Sequence, residues 1–237
     1  MPREMKLVRG NCACCDKSQI FEINEYNPIF FEKQLTLSQY LDYIYINVNV
    51  CPDCGYVNDN LADDIGEKSR DYVDSNSYQK ILNNGFMNEF KDISPEHYRL
   101  LRGGIFDALV KLYDINNIED FKYVKILNTV YNIKSSIRSK YFEDYSDSSD
   151  DSLSEEYDDL IKKLTKELQK IAETSVKILM NFTVNNPYDA IFSAQWLARI
   201  EKFKAAKQLI REVQIQYEFD NELTSFIQEF LSEIEKV

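Results

Sequence analysis

Histidine, glycine and proline are scarce in this sequence, and each scarcity excludes a kind of protein. Its 237 residues include a single histidine, His97, which we interpret as an ordinary surface or boundary residue. A serine–histidine–aspartate triad or a histidine-based metal site would depend on that one side chain, so we predict that the protein is not an enzyme. Six glycines and five prolines are too few for a β-sandwich or a phosphate-binding loop, and they favour long helices.

Long apolar runs and an excess of basic residues are also missing. No stretch approaches the roughly 20 apolar residues of a membrane span, and residues 1–10 lack the apolar core of a signal peptide. We therefore predict a cytoplasmic protein with no membrane partner. The 40 acidic and 28 basic residues give a net charge of −12, which disfavours nucleic-acid binding because affinity for phosphates comes from Lys and Arg.

The acidic charge is concentrated in one segment. Residues 143–159 contain nine acidic side chains and neither Lys nor Arg, so the rest of the chain carries a net charge of only −3. The first part of the segment, residues 143–153, is rich in Ser and Asp and has little apolar surface to bury. We predict that residues 143–153 form a mobile acidic loop.

All five cysteines lie within the first 54 residues. Cys12 and Cys15 form one C-x-x-C pair, and Cys51 and Cys54 form a second within the sequence CPDCGY. Clustered thiols in a reducing cytoplasm favour a metal site over disulfides, so we predict one structural Zn²⁺ held by these four cysteines. Cys14 is the odd residue: it either substitutes for Cys12 or Cys15 as a ligand or is a spare thiol, for which redox sensing is one hypothesis. Iron is the alternative metal, because it also accepts four thiolates.

The spacer between the two cysteine pairs is long and contains patterns typical of strands. The spacer between Cys15 and Cys51 is longer than the roughly 12–20 residues usual for such sites. Residues 19–23 form a short apolar stretch, and residues 43–50 alternate between aliphatic side chains and aromatic or amide side chains. Both patterns are typical of strands. With the two cysteine pairs they predict a small zinc ribbon.

Helical periodicity dominates the rest of the chain. Asn186 and Pro187 read as an N-cap and first-turn proline, and Trp196 on the same helix is predicted to lie in the core. Small residues recur every fourth position on this helix, which lets a second helix approach closely, and the pair is similar to a tetratricopeptide hairpin. The small residues are Ala190, Ala194 and Ala198.

These patterns together predict a mainly α fold. A small β-containing zinc ribbon at the N-terminus would be followed by an antiparallel array of repeat-like helical hairpins. The predicted parts are a zinc-ribbon module (residues 1–62), a helical region (63–142), the acidic loop (143–153) and tetratricopeptide-like hairpins (154–237).

A local excess of basic residues marks the last predicted hairpins. Five basic side chains are opposed by only two acidic ones in this stretch, a local charge of +3. The simplest interpretation is a solvated helix face, and the alternative is a surface for an acidic partner segment, for which the chain's own acidic loop is one candidate. The candidate partner-binding residues are Arg199, Lys202, Lys204, Lys207 and Arg211.

The cysteine motifs also carry a resemblance to a known family. The sequence CACC at residues 12–15, the stretch 43–50, the sequence CPDCGY at 51–56 and QWLAR at 195–199 resemble the bacterial family called domain of unknown function 2225. The chain departs from that family at Asp16, where glycine is usual, and at Ala13, where proline is usual. The resemblance implies a cytosolic bacterial zinc-binding protein, and it implies no reaction.

The predicted function is that of a non-enzymatic zinc-binding scaffold or adaptor that binds another protein. No P-loop, dinucleotide fingerprint or nucleophile elbow is present in the sequence, so we expect no small-molecule substrate. One alternative is a regulatory zinc-ribbon protein that contacts nucleic acid or the transcription machinery. The other is a thiol or metal sensor centred on Cys14.

Overall fold

The computed structural model describes residues 5–24, 34–84, 98–147, 151–182 and 186–235. Within these ranges it contains nine helices and six short strands. In chain order they are β1 (Met5–Asn11), β2 (Ser18–Asn24), β3 (Gln34–Leu35), α1 (Leu37–Ile44), β4 (Asn49–Val50), β5 (Val57–Asn58), α2 (Lys68–Val73), α3 (Asn76–Asn84), α4 (Tyr98–Asn116), α5 (Phe121–Asp147), α6 (Asp151–Leu179), α7 (Pro187–Arg199), α8 (Phe203–Gln216), β6 (Glu218–Phe219) and α9 (Asn221–Glu233).

Polar side chains define where several helices begin. The side chain of Thr36 accepts a hydrogen bond from the Gln39 backbone N–H at the start of α1. Asn186 and Asp220 cap α7 and α9 in the same way, each through the backbone N–H three residues further on. Such a bond satisfies an N–H group that has no partner inside the helix. The predicted cap at Asn186, with Pro187 in the first turn, is confirmed.

The chain divides into two compact units that do not follow its linear order. The first unit consists of Pro2–Glu25 and Ile46–Asp151. The second unit consists of Tyr26–Tyr45 and Ser152–Val237. Each unit is therefore made from separate stretches of sequence. This division differs from the predicted succession of a zinc-ribbon module (residues 1–62), a helical region (63–142), an acidic loop (143–153) and tetratricopeptide-like hairpins (154–237).

The first unit combines two hairpins with helices α2 to α5. β1 and β2 pair antiparallel, with Met5 opposite Asn24 and Asn11 opposite Ser18, and β4 pairs antiparallel with β5. Helix α4 lies against α2, α3, α5 and β5, so it is central to this unit. The core holds large side chains that are almost fully buried, among them Tyr56, Val57, Tyr78, Leu109, Leu112, Val124 and Ile126.

The second unit is built around the α7–α8 hairpin. Helix α1 contacts α7 and α9, and β3 forms a short parallel pair with β6. Trp196 is completely buried, which confirms its predicted core position. Its ring meets the Phe192 ring edge to face, with 6.2 Å between the ring centroids. Other buried side chains of this unit are Leu35, Tyr40, Leu164, Leu168, Ile210 and Leu223.

The predicted fold class is confirmed: the described part of the chain is mainly helical, with small strand pairs near the N-terminus. The predicted strand at residues 19–23 exists as β2, and its partner β1 was not predicted. Among the described residues, no helix is both long and apolar enough to span a membrane. His97 lies outside the described residues, so its predicted position stays untested.

The prediction of a strand over residues 43–50 is wrong for most of its length. Residues 37–44 form helix α1, and only Asn49 and Val50 are in a strand. The helix buries Tyr40 completely, and the hydroxyl of Tyr43 donates to Asp189 in α7. Apolar residues at positions 37, 40, 41 and 44 also fit a helical period, and contacts with distant residues decide between the two patterns.

Most of the predicted acidic loop lies in helices, and residues 148–150 fall outside the described part of the chain. Helix α5 continues to Asp147 and α6 begins at Asp151, so helices include most of residues 143–153. Adding a residue to an existing helix costs little compared with starting one, and acidic residues near a helix N-terminus are favoured by its dipole. Both effects extend the two helices into the segment.

Candidate metal centre

The two C-x-x-C pairs form the turns of the two hairpins in the first unit. Residues 12–17, the first knuckle, connect β1 to β2. Residues 51–56, the second knuckle, connect β4 to β5. Each knuckle is therefore held at both ends by paired strands. This arrangement lets two turns that are far apart in sequence present their thiols to the same point.

The backbones of the two knuckles follow the same hydrogen-bond pattern. The N–H of Asp16 donates to the carbonyl of Cys12 at 2.8 Å, and the N–H of Gly55 donates to the carbonyl of Cys51 at 2.9 Å. The N–H of each first cysteine donates in turn to the carbonyl five residues later, that of Lys17 or Tyr56. The two turns are thus equivalent, which identifies Cys12 rather than Cys14 as the counterpart of Cys51.

The four knuckle thiols converge on one point. The Sγ atoms of Cys12, Cys15, Cys51 and Cys54 all lie within 4.8 Å of one another. Two cross-knuckle distances are shorter: 3.8 Å between Cys12 and Cys54, and 3.7 Å between Cys15 and Cys51. Four sulfurs placed about 2.3 Å from a central Zn²⁺ in a tetrahedron would be about 3.8 Å apart. The four predicted ligands therefore form a cluster of the right size for a tetrahedral metal ion.

Burial and backbone N–H groups act in opposite directions on these thiols. Burial raises the pKa of Cys12 to about 11, although the N–H groups of Cys15 and Cys14 donate to its sulfur. Burial also raises the pKa of Cys54. At Cys51 the effect of burial is outweighed by the N–H groups of Cys54 and Asp53, so its pKa lies below the ordinary value. A cation bound among neighbouring thiolates would compensate their mutual repulsion and the cost of burying their charge.

Helices α2 and α3 support both knuckles from outside. The guanidinium of Arg70 in α2 donates to the carbonyl of Ala13 at 2.9 Å. In α3 the Gln79 amide donates to the carbonyl of Cys54 at 3.1 Å, and the Tyr78 hydroxyl donates to the carbonyl of Gly55 at 2.9 Å. These bonds fix the peptide groups next to the thiols. Groups of this kind orient ligands and are part of a metal site.

Asp53 connects the second knuckle to the first hairpin. Its carboxylate accepts from the Lys17 ammonium at 2.7 Å and from the Gln19 amide at 2.5 Å. The hydrogen bond from Lys17 holds the pKa of Asp53 below its ordinary value. Asn49 adds a second connection, because its amide donates to the carbonyl of Glu22 at 2.7 Å. The two hairpins are therefore joined by side chains as well as by the thiol cluster.

Cys14 is not a member of the four-thiol cluster. It is partly exposed. Burial raises the pKa of its thiol. The structure thus selects Cys12 and Cys15 over Cys14 for the cluster, and a redox role for Cys14 stays a prediction.

The five predicted partner-binding residues lie on or beside the α7–α8 hairpin. Arg199 is at the end of α7, where its guanidinium carbon lies 4.2 Å from the centre of the Trp196 ring. Lys202 is the N-cap residue of α8. Lys204, Lys207 and Arg211 follow on α8 itself, and the ammonium of Lys207 lies 3.5 Å from the Glu235 carboxylate.

Sequence reasoning missed the groups that support the knuckles. Gln79, Tyr78 and Arg70 were not predicted to have a role at the site. The only signal in the sequence was that α2 and α3 follow the second cysteine pair at short distance, which favours contact between them on chain length alone.

Comparisons of the chain with protein-family models, with curated proteins and with solved structures find no match.

Proposed function

We propose that the protein binds one structural Zn²⁺ through Cys12, Cys15, Cys51 and Cys54. The observation that supports this is the convergence of four thiols on two equivalent hairpin turns, at distances that suit a tetrahedral ion. Four sulfur ligands leave no position for water or substrate, so the role of the metal is structural and not catalytic. Binding of the metal adds its free energy to the folding of the first unit.

Metal content measured by mass spectrometry on the purified protein tests this proposal. We expect one equivalent of zinc in the natural protein and its loss in Cys51→Ser and Cys54→Ser. Cys14→Ser is the matched control, because it removes a neighbouring thiol outside the cluster, and it should retain the metal. The absorption spectrum of the cobalt-substituted protein reports the number of thiolate ligands. Protein without metal, or full zinc content in Cys51→Ser, would refute the site, and iron in place of zinc would correct the metal.

We further propose that the protein is a cytoplasmic, non-enzymatic scaffold whose second unit binds an acidic segment of another protein. Support comes from α8, where Lys204, Lys207 and Arg211 are spaced by three and four residues and therefore share one helix face. Lys204 and Arg211 are exposed. Opposite charges across an interface steer association and select partners. The resemblance to domain of unknown function 2225 is compatible with this role and assigns no reaction.

A synthetic peptide with the sequence of residues 143–159 is a suitable acidic probe for this surface. We expect it to bind the full protein at low salt, and to bind the Lys204→Glu, Lys207→Glu double variant at least tenfold more weakly. The double variant Lys80→Glu, Lys111→Glu makes the same charge change on the first unit and should bind the peptide normally. Equal binding to both double variants would show that the face of α8 is an ordinary solvated surface.

A further inference from the structure

We propose that the metal bound in the first unit also stabilises part of the second. It closes the chain loop that carries residues 34–45 and so favours the docking of this segment on α7 and α9. The inference rests on the zinc site proposed above and concerns what that site controls. It arises from the path of the chain, since both cysteine pairs belong to the first unit while the residues between them contribute to the second.

The four-thiol cluster joins the two ends of this loop. The chain leaves the first knuckle along β2, contributes β3 and α1 to the second unit, and returns to the first unit at Ile46. It then passes through β4 to Cys51, whose Sγ lies 3.7 Å from that of Cys15. A metal bound to both sulfurs would therefore close a loop whose middle is docked elsewhere. This path also explains why the spacer is longer than in an ordinary zinc ribbon.

The docked segment is held by backbone pairing at its start. β3 pairs with β6 in parallel, with Gln34 beside Glu218 and Leu35 beside Phe219. The N–H of Asp220 donates to the carbonyl of Leu35 at 2.9 Å, and the Leu35 side chain is almost fully buried. The segment therefore begins as an added strand at an edge of the second unit.

Tyrosine hydroxyl groups hold the helical part of the segment. Tyr40 is completely buried and donates to the side-chain carbonyl of Gln195 in α7. Tyr43 donates to the carboxylate of Asp189, also in α7. In the opposite direction the Tyr188 hydroxyl donates to the Gln39 amide oxygen at 2.9 Å. These bonds give α1 a defined position on α7.

Helix α1 depends on this docking for its order. It has only eight residues, and isolated helices shorter than about 12–15 residues are marginal in water. Docking the segment restricts both of its ends, and the entropic cost rises with the logarithm of the loop length. A metal that already holds Cys15 beside Cys51 removes part of that cost. The linkage is reciprocal, so a docked segment in turn strengthens metal binding.

Hydrogen exchange on the full-length protein, with zinc bound and after chelation, measures the first direction of this linkage. We expect the amides of residues 34–45 to exchange at least tenfold faster without zinc, while the amides of α8 keep their protection. Unchanged exchange in residues 34–45, with one equivalent of zinc bound beforehand, would overturn the inference and leave the zinc site intact.

Zinc affinity, measured by competition with a chelating dye, tests the reverse direction. Tyr40→Phe and Tyr43→Phe each remove one hydroxyl bond to α7, and we expect their combination to bind zinc several-fold more weakly. Leu41→Ala is the control, because this side chain is on the same helix and 48% exposed, and it should leave the affinity unchanged. If chelation accelerates exchange throughout the chain, the zinc affinities become the deciding measurement. Equal zinc affinity in all variants would refute the linkage between the metal and the docked segment. Absence of zinc in the natural protein would refute the proposed site instead.

Discussion

Asp16 and Gly55 occupy the same left-handed position in the two knuckles, with φ of 60° and 79°. Each donates its N–H to the carbonyl of the first cysteine of its pair. Glycine adopts this conformation without steric cost, whereas an aspartate adopts it at a cost that is smaller than for most residues. The first knuckle therefore keeps the geometry of the second with a less favourable residue.

Replacing Asp16 with glycine should stabilise the first unit by up to about 1 kcal/mol, because the strain of the left-handed backbone is removed. Asp16→Ala should instead destabilise it, since alanine lacks the tolerance of aspartate for this conformation. Denaturant unfolding in excess zinc measures both changes. If the two variants shifted stability in the same direction, the side chain of Asp16 and not its backbone would be the cause.

Removing the Gln79 amide should speed the loss of zinc from the cluster. This side chain donates to the carbonyls of both Cys54 and Val73, and so ties the second knuckle to the end of α2. We expect zinc to transfer from Gln79→Leu to a chelator roughly ten times faster than from the natural protein.

Gln208→Leu is the matched control for this experiment. Gln208 donates to Glu212 within α8 at an exposed position. The same substitution there should leave the zinc transfer rate unchanged. Equal rates in all three proteins would mean that Gln79 supports the fold and not the metal.

A side chain at Gly66 should destabilise the first unit. Gly66 has φ of 147°, and a Cβ atom there would lie 2.2 Å from Oδ1 of Asn116. The Asn116 side chain is held in place because its Nδ2 donates hydrogen bonds to the Ser69 hydroxyl and the Leu112 carbonyl. Gly66→Ala should therefore cost more than about 1 kcal/mol of unfolding free energy. Because the clash is with Asn116, the double variant with Asn116→Ala should lose less than the sum of the single losses.

Gly10→Ala is the control for the Gly66 variant. A Cβ atom at Gly10 would meet its nearest neighbours at 3.4 Å, which is close but needs only small adjustments. We expect a change within about 1 kcal/mol of zero in the same denaturation experiment. For the Gly66 prediction itself, fully additive stability losses in Gly66→Ala and Asn116→Ala would contradict the proposed clash between the new Cβ atom and Asn116.

Raising the pH above about 10 should unfold the protein, and its buried tyrosines should ionise as it unfolds. Burial raises the pKa of Tyr40, Tyr56 and Tyr78 above the ordinary value of about 10. Above that pH the unfolded chain loses these protons while the folded chain keeps them, so stability is full below about pH 10 and falls as the pH rises further. Tyrosinate absorbance followed beside circular dichroism should show a second ionisation step that coincides with loss of helix. A single step near pH 10 with intact helices would contradict the burial.

The parts of the fold that were predictable depend on local chemistry. The spacing of the four cysteines and the proline and glycine of the second pair identify the thiol cluster, because two equivalent turns need little else to form. Asn186 with Pro187 predicts the start of α7 from neighbouring residues alone. The burial of Trp196 follows from its place among apolar neighbours on the same helix.

The parts that were not predictable depend on residues far away in the chain. Residues 37–44 fit a helix as well as residues 43–50 fit a strand, and the contact that selects the helix joins Tyr43 to a residue 146 positions later. No local pattern contains that information. The same is true of the division into two units, since the assignment of residues 34–45 is determined by partners in α7, α9 and β6.

The interleaved path of the chain has a consequence for protein synthesis. Everything that forms the first unit has been translated once residue 151 has left the ribosome, so both knuckles and their supporting helices can assemble early. The strand and helix between the knuckles must wait for α7, β6 and α9, which are among the last four elements to emerge. Until then residues 34–45 belong to a loop of the nascent chain whose apolar side chains have no partners to bury them. Both ends of this loop are connected to the first unit, which has already folded. The order of the chain thus imposes an order of assembly.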